Sequence, residues 1–330
     1  MGTVAIIVPV RDGKAYLART LPALLAALPP GDEVLVCDDG SHDGSGELAR
    51  SLGARVLRQE TSAGPAAARN RGAREGGTER IIFLDADCRV HADTLARLTA
   101  ALDDPTVAAA FGSYDDTPEA RSTVSLYKNL SHHFVHQRSR GEAGTFWAGC
   151  GAVRREVFVA MGGFDESFPR PSIEDVELGY RLKAAGHRIR LVAEAQVTHL
   201  KEWDLGSWLL ADFRDRAVPW GRLVRAGRGL PRDLNLTFRD RFATGLAGLA
   251  GLMMVLVLAS PSPWALRFLT AAVAALLLST ALDLPFLHFA ARRVSPTFAL
   301  AAAGLHLIHR ALGLAGFVVG LLWPAPSAHR

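Results

Sequence analysis

The chain has 330 residues, of which 49% are hydrophobic, and its formal net charge is +4. This length is too great for one small core and predicts more than one structural unit. The small positive charge suits an anionic membrane surface or an anionic substrate, and we expect no nucleic-acid partner. The three cysteines (Cys37, Cys88 and Cys150) lack metal-ligand spacing, which excludes a cysteine zinc site and fits a reducing compartment.

The first 200 residues alternate short apolar runs with helical patterns, which predicts an α/β domain with a doubly wound sheet. Strands are expected near residues 4–9, 33–37, 54–58, 80–84, 107–113 and 188–193. Helices are expected near residues 14–28, 43–52, 64–76, 91–103, 154–161 and 174–186. Met1 runs almost directly into the first strand, so we expect no cleavable signal sequence before it.

Three of the predicted strands end in acidic residues. The first ends at Asp12, the second at Asp38 and Asp39, and the fourth, in the segment RIIFLDADC, at Asp85 and Asp87. Ligands of open α/β sheets bind at the carboxyl ends of the strands. The acidic residues are therefore candidates for a ligand site at one edge of the sheet.

Asp85 and Asp87 are the candidates for metal binding. Side chains two positions apart on a strand project to the same face, and two adjacent carboxylates stay ionised together only beside a cation. Hard oxygen ligands suit Mg²⁺ or Mn²⁺, which commonly bridge to substrate phosphates. A solvated acidic turn is the alternative for this short motif.

The end of the chain has a different composition. After Asp240, Asp283 is the only carboxylate and lysine is absent from the sequence. Apolar runs at 242–259, 266–289 and 298–323 approach or exceed the ~20 residues that cross a bilayer as a helix. This pattern predicts three spans, or two spans and a helix that lies on the membrane. A soluble helical domain is the third alternative.

The residues that precede these runs, 203–241, are amphipathic and rich in Trp and Arg. We predict linker helices there, in which Trp203, Trp208 and Trp220 either lie at the membrane interface or pack against the catalytic domain. Basic residues flank the apolar runs, namely Arg239, Arg241, Arg292 and Arg293. With three spans both pairs fall on one side, which the positive-inside rule makes cytoplasmic.

Seven segments, in this order, resemble those of glycosyltransferase family 2, whose members have the GT-A nucleotide-sugar-binding fold. They are VPVRD, DDGS, GPAAARNRG, LDADC, WAGCGAVRREVF, GGFDESF and EDVELGYRL, and they cover roughly residues 3–200. The resemblance implies a GT-A (Rossmann-like) mixed α/β sheet. It also implies an inverting hexosyltransferase-type enzyme with a nucleotide-sugar donor, for which we favour a UDP-sugar.

The resemblance assigns donor contacts to six residues: Asp12, Asp38, Asp39, Arg69, Asp85 and Trp147. Whether Asp38 or Asp39 contacts the nucleoside stays open. Arg69 resembles the family position near the uracil or the diphosphate, and Trp147 is a candidate for stacking on a sugar. For the cation, Mg²⁺ or Mn²⁺, the resemblance adds His199 to Asp85 and Asp87, and an imidazole ligand favours Mn²⁺.

The segment EDVELGYRL supplies the acid–base residues that the resemblance implies. Asp175 is expected to be the general base that deprotonates an acceptor hydroxyl, and Glu174 to bind or orient the acceptor. Stabilisation of a helix N-terminus is the alternative explanation for this pair. Because a phosphate acceptor needs no base, a hydroxyl acceptor is preferred to the polyprenyl-phosphate alternative.

These expectations combine into a membrane-anchored enzyme of cell-envelope glycan synthesis. We predict a catalytic domain at 1–202, linker helices at 203–241 and a membrane domain at 242–330. The acceptor is expected to be lipid-linked or another membrane-proximal glycan. The expected location is the cytoplasmic membrane, crossed several times, with the catalytic domain on the cytoplasmic side. A non-catalytic scaffold that binds nucleotide sugar is the remaining alternative.

Overall fold

The structure is a computed structural model that describes residues 3–139, 141–227 and 234–323. Its strands are β1 (Val4–Val10), β2 (Glu33–Asp38), β3 (Arg55–Arg58), β4 (Arg80–Leu84), β5 (Cys88–Val90), β6 (Val107–Tyr114), β7 (Gly141–Ala143), β8 (Cys150–Arg154) and β9 (Arg188–His199). The helices before the apolar tail are α1 (Lys14–Ala26), α2 (Ser45–Ser51), α3 (Pro65–Glu75), α4 (Thr94–Ala101), α5 (Thr123–Arg138), α6 (Arg155–Ala160), α7 (Glu174–Ala184), α8 (Leu205–Leu210) and α9 (Val218–Arg225). The tail contains α10 (Phe238–Ala259), α11 (Trp264–Ala281), α12 (Leu284–Arg293) and α13 (Pro296–Leu322). A π-helix (Ala211–Ala217) joins α8 to α9, and a 3₁₀ turn (Leu234–Leu236) precedes α10.

The strands form one mixed sheet in the order β3-β2-β1-β4-β8-β6-β9-β5, with β7 beside β9. The strands β3, β2, β1 and β4 are parallel, and β8 runs antiparallel to both of its neighbours, β4 and β6. The central strands are buried, as their apolar runs predict. The predicted mixed α/β sheet is confirmed.

Three features of this sheet differ from the elements predicted above. Residues 150–154, for which no strand was predicted, form the central strand β8, and the strand predicted at 188–193 continues to His199. The short strand β5 directly follows Asp87. Such pairings join distant segments, so local periodicity does not reveal them.

The sheet depends on glycine where β6 and β9 approach closely. A Cβ added at Gly112 would lie 2.0 Å from the carbonyl oxygen of Ala195. We expect Gly112→Ala to force the two strands apart and to destabilise the domain by about 1–3 kcal/mol, as other overpacked cores do. A lower midpoint of thermal unfolding in detergent would show this. Gly77→Ala is the matched control because nothing lies within 4 Å of its added Cβ. Equal midpoints for the two variants would contradict the prediction.

The chain divides into two compact units. The first contains Met1–Arg121 and Val135–Glu202 and holds the sheet, and the second contains Ser122–Phe134 and Trp203–Arg330. The domain limits predicted from the sequence, 202 and 241, stay predictions. Residues 228–233 of the predicted linker and 324–330 of the predicted membrane domain lie outside the described residues.

In the second unit, α10, α11 and α13 are long and apolar enough to cross a membrane. The helix α10 begins with a capping box, in which Thr237 and Asp240 bond to each other's backbone N–H groups. The predicted run 266–289 is divided, because α11 ends at Ala281 and α12 begins at Leu284. Trp208 was expected either at the membrane interface or packed against the catalytic domain. In the structure it is fully buried and packs edge-on against Tyr127 of α5, within the second unit.

Candidate active site

The acidic residues of the first unit lie at one edge of the sheet. Because β2, β1 and β4 are adjacent and parallel, their carboxyl ends bring Asp12, Asp38, Asp39 and Asp85 to the same side. Asp12 has a left-handed backbone (φ 50°), and its N–H donates to Ser41 Oγ at 3.0 Å. Its Oδ1 accepts from the N–H of His42 at 2.7 Å, and the carboxylate is half exposed. Asp12 can therefore accept a further hydrogen bond from a ligand.

Asp38 and Asp39 are both buried and both engaged inside the protein. Asp39 accepts four hydrogen bonds from the segment that leads into α3. The donors are Gln59 Nε2 (2.6 Å), Ser62 Oγ (2.7 Å), Ala63 N (2.8 Å) and Gly64 N (3.0 Å). Asp38 accepts from the N–H of Ser41 at 2.8 Å and faces Arg58 at 3.4 Å. Both carboxylates thus shape the loops of this edge, and a nucleoside contact by either one stays a prediction.

Arg69 joins two parts of the site. Its side chain is buried, with Nη1 2.7 Å from Glu174 Oε1 and Nη2 2.7 Å from Asp85 Oδ1. Burial lowers the pKa of Arg69, but the charges of Asp85, Glu174 and Asp175 raise it above its ordinary value. The guanidinium therefore stays charged and connects the end of β4 to the start of α7. Its Nε is buried without a hydrogen-bond partner among the described residues.

This arrangement makes Arg69 important for stability. Arg69→Met would leave the buried Glu174 carboxylate without its cation, and breaking a buried pair in this way costs about 3–5 kcal/mol. We expect a marked fall in the thermal unfolding midpoint. Arg74→Met, on the same helix but two-thirds exposed, is the control and should have little effect. If the two variants unfold at the same temperature, the structural role of Arg69 is wrong.

Asp87 and His199 form a second pair. Asp87 Oδ2 lies 3.6 Å from His199 Nε2, because β5 follows Asp87 and pairs with β9 so that Cys88 is opposite His199. The imidazole stacks on Tyr114, with ring centroids 4.3 Å apart. Burial raises the pKa of Asp87, but His199 has the opposite effect and the pKa lies below the ordinary value. The charged carboxylate and the imidazole are suitable ligands for Mn²⁺.

The third predicted metal ligand, Asp85, is turned towards Arg69. Burial raises the pKa of Asp85, Arg69 lowers it, and Asp87 raises it, with a net increase. In the described part of the chain, no group of three or more His, Cys, Asp or Glu side chains is arranged to hold a metal. The carboxylate of Asp87 and the imidazole of His199 suit a cation, and metal binding by this pair stays a prediction. Metal binding by Asp85 stays a prediction.

Asp175 lies at the start of α7, next to Glu174. Its Oδ2 accepts from the N–H of Ala148 at 3.0 Å, and Glu174 Oε2 accepts from the N–H of Ser172 at 2.9 Å. Burial and the charge of Glu174 raise the pKa of Asp175 to about 7, against the opposing effects of Ala148 and Arg69. A carboxylate with this pKa is suited to exchange protons near neutral pH.

Trp147 lies between the start of α7, which Asp175 links to the N–H of Ala148, and Tyr114, which stacks on His199. Its indole lies against Gly149, where an added Cβ would be 2.6 Å from the ring, and it packs edge-on against Tyr114 and His136. These contacts give Trp147 a packing role. The Trp147 side chain is half-buried, and its stacking on a sugar remains a prediction.

Two residues without a role in the sequence interpretation contribute to this edge. Tyr114 positions His199 by stacking. In the sequence, the only indication of this role was that an aromatic residue follows the strand predicted at 107–113. Asn70 bonds to both backbone groups of Phe164, each at 2.8 Å. It fixes the segment GGFDESF to α3, and nothing in the local sequence indicates this contact.

Comparison with known proteins agrees with this geometry. The profile of Glycosyl transferase family 2 matches residues 5–162. The chain contains a family 2 glycosyltransferase domain. It is similar to the pre-mycofactocin glycosyltransferase of Mycobacterium tuberculosis, with 32% identity over 61% of this chain and 44% of that protein. It also resembles the succinoglycan biosynthesis protein ExoA of Rhizobium meliloti, with 28% identity over 59% of this chain and 62% of that protein. The chain spans less than two thirds of either relative.

Two solved structures show that the glycosyltransferase domain has the GT-A fold. The mannosyltransferase PcManGT from Pyrobaculum calidifontis, in complex with GDP-Man and Mn²⁺, superposes with a TM-score of 0.61 at 20% identity. The comparison covers 98% of this chain and 87% of that one. S. aureus TarS 1–349 gives a TM-score of 0.53 at 17% identity, over 95% and 90% of the two chains.

Proposed function

We propose that this protein is an inverting, metal-dependent glycosyltransferase that moves a sugar from a nucleotide-sugar donor to a hydroxyl group of a lipid-linked or membrane-proximal acceptor. The observation that carries the proposal is the contact of Arg69 with both Asp85 and Glu174. This contact joins the end of β4, where the acidic residues of the sheet edge lie, to the start of α7, which carries Asp175. The family 2 domain and the titration of Asp175 near neutral pH support the same function.

The donor would bind along the carboxyl ends of the parallel strands. The Asp12 carboxylate would accept hydrogen bonds from the nucleoside, on the loops that Asp38 and Asp39 hold in place. Asp87 and His199 would hold Mg²⁺ or Mn²⁺, which supplies positive charge beside the departing nucleoside diphosphate. PcManGT, which binds GDP-Man and Mn²⁺, supports a nucleotide-sugar donor and a divalent cation. We favour a UDP-sugar among the possible donors.

The acceptor would be activated by Asp175. Its carboxylate would take the proton from the acceptor hydroxyl while the hydroxyl oxygen attacks the anomeric carbon on the side opposite the diphosphate, which inverts the configuration. Glu174 would orient the helix end through Arg69 and the N–H of Ser172. The Asp175 carboxylate is held towards the segment of Trp147 by the N–H of Ala148.

The apolar helices support membrane anchoring in the cytoplasmic membrane. Arg239 and Arg241 lie at the start of α10, and Arg292 and Arg293 lie at the end of α12. By the positive-inside rule these residues belong on the cytoplasmic side. The catalytic domain would face the cytoplasm, where nucleotide sugars would reach it.

The proposal is tested with purified protein in detergent and a panel of UDP-, GDP- and dTDP-sugars, each with Mn²⁺. Donor binding is measured by calorimetry, and donor hydrolysis by release of the nucleoside diphosphate. We expect saturable binding of at least one donor, and weaker binding by Asp12→Ala. Asp103→Ala, which removes a half-exposed carboxylate paired with Arg80, is the control. If no nucleotide sugar binds the folded protein, a transferase function is wrong.

A further inference from the structure

We propose that α13 lies in the plane of the membrane, with its apolar face against the acyl chains, and that only the α10–α11 hairpin crosses the bilayer. This inference rests on the proposed membrane anchoring. It selects two spans and a membrane-lying helix over three spans, and it places both ends of the tail on one side.

The helix α13 has two different faces along its whole length. One face packs against protein, with Phe298, Ala302, Arg310, Gly316 and Gly320 buried. Along the opposite face every third or fourth residue is exposed, and none is charged: Thr297, Ala301, Gly304, Ile308, Ala311, Ala315, Val318 and Leu322. This apolar stripe is about 40 Å long at 1.5 Å per residue. A continuous stripe of this kind suits the surface of a lipid layer.

The middle of α13 carries charges. Arg310 makes two hydrogen bonds with Asp283, at 2.5 and 2.6 Å, and His309 Nδ1 lies 2.8 Å from Asp212 Oδ2. Asp212 also bonds to Lys128 and Arg216, and the side chains of His309 and Arg216 are 38% and 44% exposed. In a crossing helix these exposed groups would lie at the bilayer centre, where ionisable side chains are costly. In a helix along the surface they face water and headgroups.

The contacts of Arg310 also give the depth of α13. Arg310 donates to Oγ and to the carbonyl oxygen of Ser279, at 3.1 and 3.2 Å. Ser279 is in the last turn of α11, and its Oγ donates to the carbonyl of Ala243 near the start of α10. The middle of α13 is therefore beside the open end of the hairpin, where α10 begins and α11 ends. If the hairpin crosses the bilayer, this point is at the membrane surface.

The connection to α10 excludes a crossing by the second half of α13. The helix α9 runs beside it, with a backbone approach so close that a Cβ at Gly320 would be 2.1 Å from the carbonyl oxygen of Val218. Arg225, the last residue of α9, bonds to the carbonyl of Leu321 at 3.4 Å, so α9 and α13 end together. From there the chain must reach α10 through residues 226–237.

Three spans would require this segment to return across the bilayer. Twelve residues reach about 18 Å as a helix, which is less than the ~30 Å hydrocarbon core. As an extended chain they would leave backbone groups without partners in lipid. The sequence of the segment also contains Arg228, Arg232 and Asp233. With α13 in the membrane plane, no crossing is needed.

The test uses single added cysteines in intact spheroplasts and a sulfonated maleimide that does not cross the membrane. The native cysteines are buried and serve as the unlabelled background. Ser262→Cys, in the turn between α10 and α11, should be labelled from outside. Trp323→Cys, directly after α13, should be labelled only after lysis. Both side chains replaced are exposed, so the folded structure tolerates the changes.

Each outcome has a definite meaning. Labelling of Trp323→Cys in intact spheroplasts would overturn the inference in favour of three spans. Absence of outside labelling at Ser262→Cys, in protein that sediments with membranes and is labelled after lysis, would show that the hairpin does not cross. Protein that leaves the membrane in a high-salt wash would contradict the proposed anchoring itself. Donor binding, measured on the same variants, reports on the proposed function separately.

Discussion

Asp175→Asn should lower the rate of sugar transfer by roughly 10²–10⁴-fold, the contribution of a general base. The amide keeps the size and much of the hydrogen bonding of the carboxylate, including a contact with the N–H of Ala148, but it cannot take the proton. Donor binding should stay near the wild-type value. Initial rates of transfer and donor affinity, measured on the same preparation, check both expectations.

The pH dependence gives a second measurement of the same role. A base must be unprotonated to act, and the pKa of Asp175 is raised to about 7. The wild-type rate should therefore be low below pH 7 and rise as the pH passes through that value. In Asp175→Asn this rise should be lost. Asp93→Asn, which changes an exposed carboxylate paired with Arg97, should retain the wild-type profile.

Two results would change the assignment. An unchanged rate in Asp175→Asn would show that no base acts there, and a phosphate acceptor, as in polyprenyl-phosphate glycosyltransferases, would become the better proposal. Loss of donor binding together with transfer would place Asp175 in the donor site.

Asp87→Ala should lose most of the turnover, by roughly 10²-fold or more, because the cation beside the leaving group would lose its charged ligand. Excess EDTA should inactivate the wild-type enzyme, and added Mn²⁺ should restore it. The variant should remain folded, since Asp87 pairs only with His199 among the ion pairs of the described residues. Metal binding is measured directly by calorimetry in the presence of a nucleoside diphosphate.

His199→Ala provides a comparison within the same pair. It removes the imidazole but leaves the carboxylate, so we expect a smaller loss of activity and a weaker preference for Mn²⁺ over Mg²⁺. Full activity of wild-type protein in excess EDTA would show that the proposed metal dependence is wrong.

The sequence predicted the position of a candidate site residue where that residue directly follows a strand. The run Ile81–Leu84 is apolar, so it forms β4, and a parallel strand leaves the residue after its end at the ligand edge. This reasoning placed Asp12 and Asp85 at one edge of the sheet. It could not place β8, because Cys150–Arg154 contains a glycine and directly follows Gly149, and glycine is depleted in strands.

The contacts inside the site were not predictable in this way. Arg69 lies between Asp85 and Glu174, the second of which is 105 residues away, and its place near the nucleotide stays a prediction. Local periodicity contains no information on such a pair. The division of the 266–289 run has a similar origin, since Asp283 turns to meet Arg310 from another helix.

The shared guanidinium of Arg69 has a consequence for how this protein can change in evolution. Two carboxylates from different parts of the chain depend on one cation, so a substitution at any of the three positions alters the cost of a substitution at the other two. The change in the free energy of unfolding that Glu174→Gln causes would differ between the wild-type protein and a variant in which Arg69 has already been replaced. Relatives that lose this arrangement are expected to have replaced all three residues together, because each intermediate with one unpaired charge is less stable than either end state.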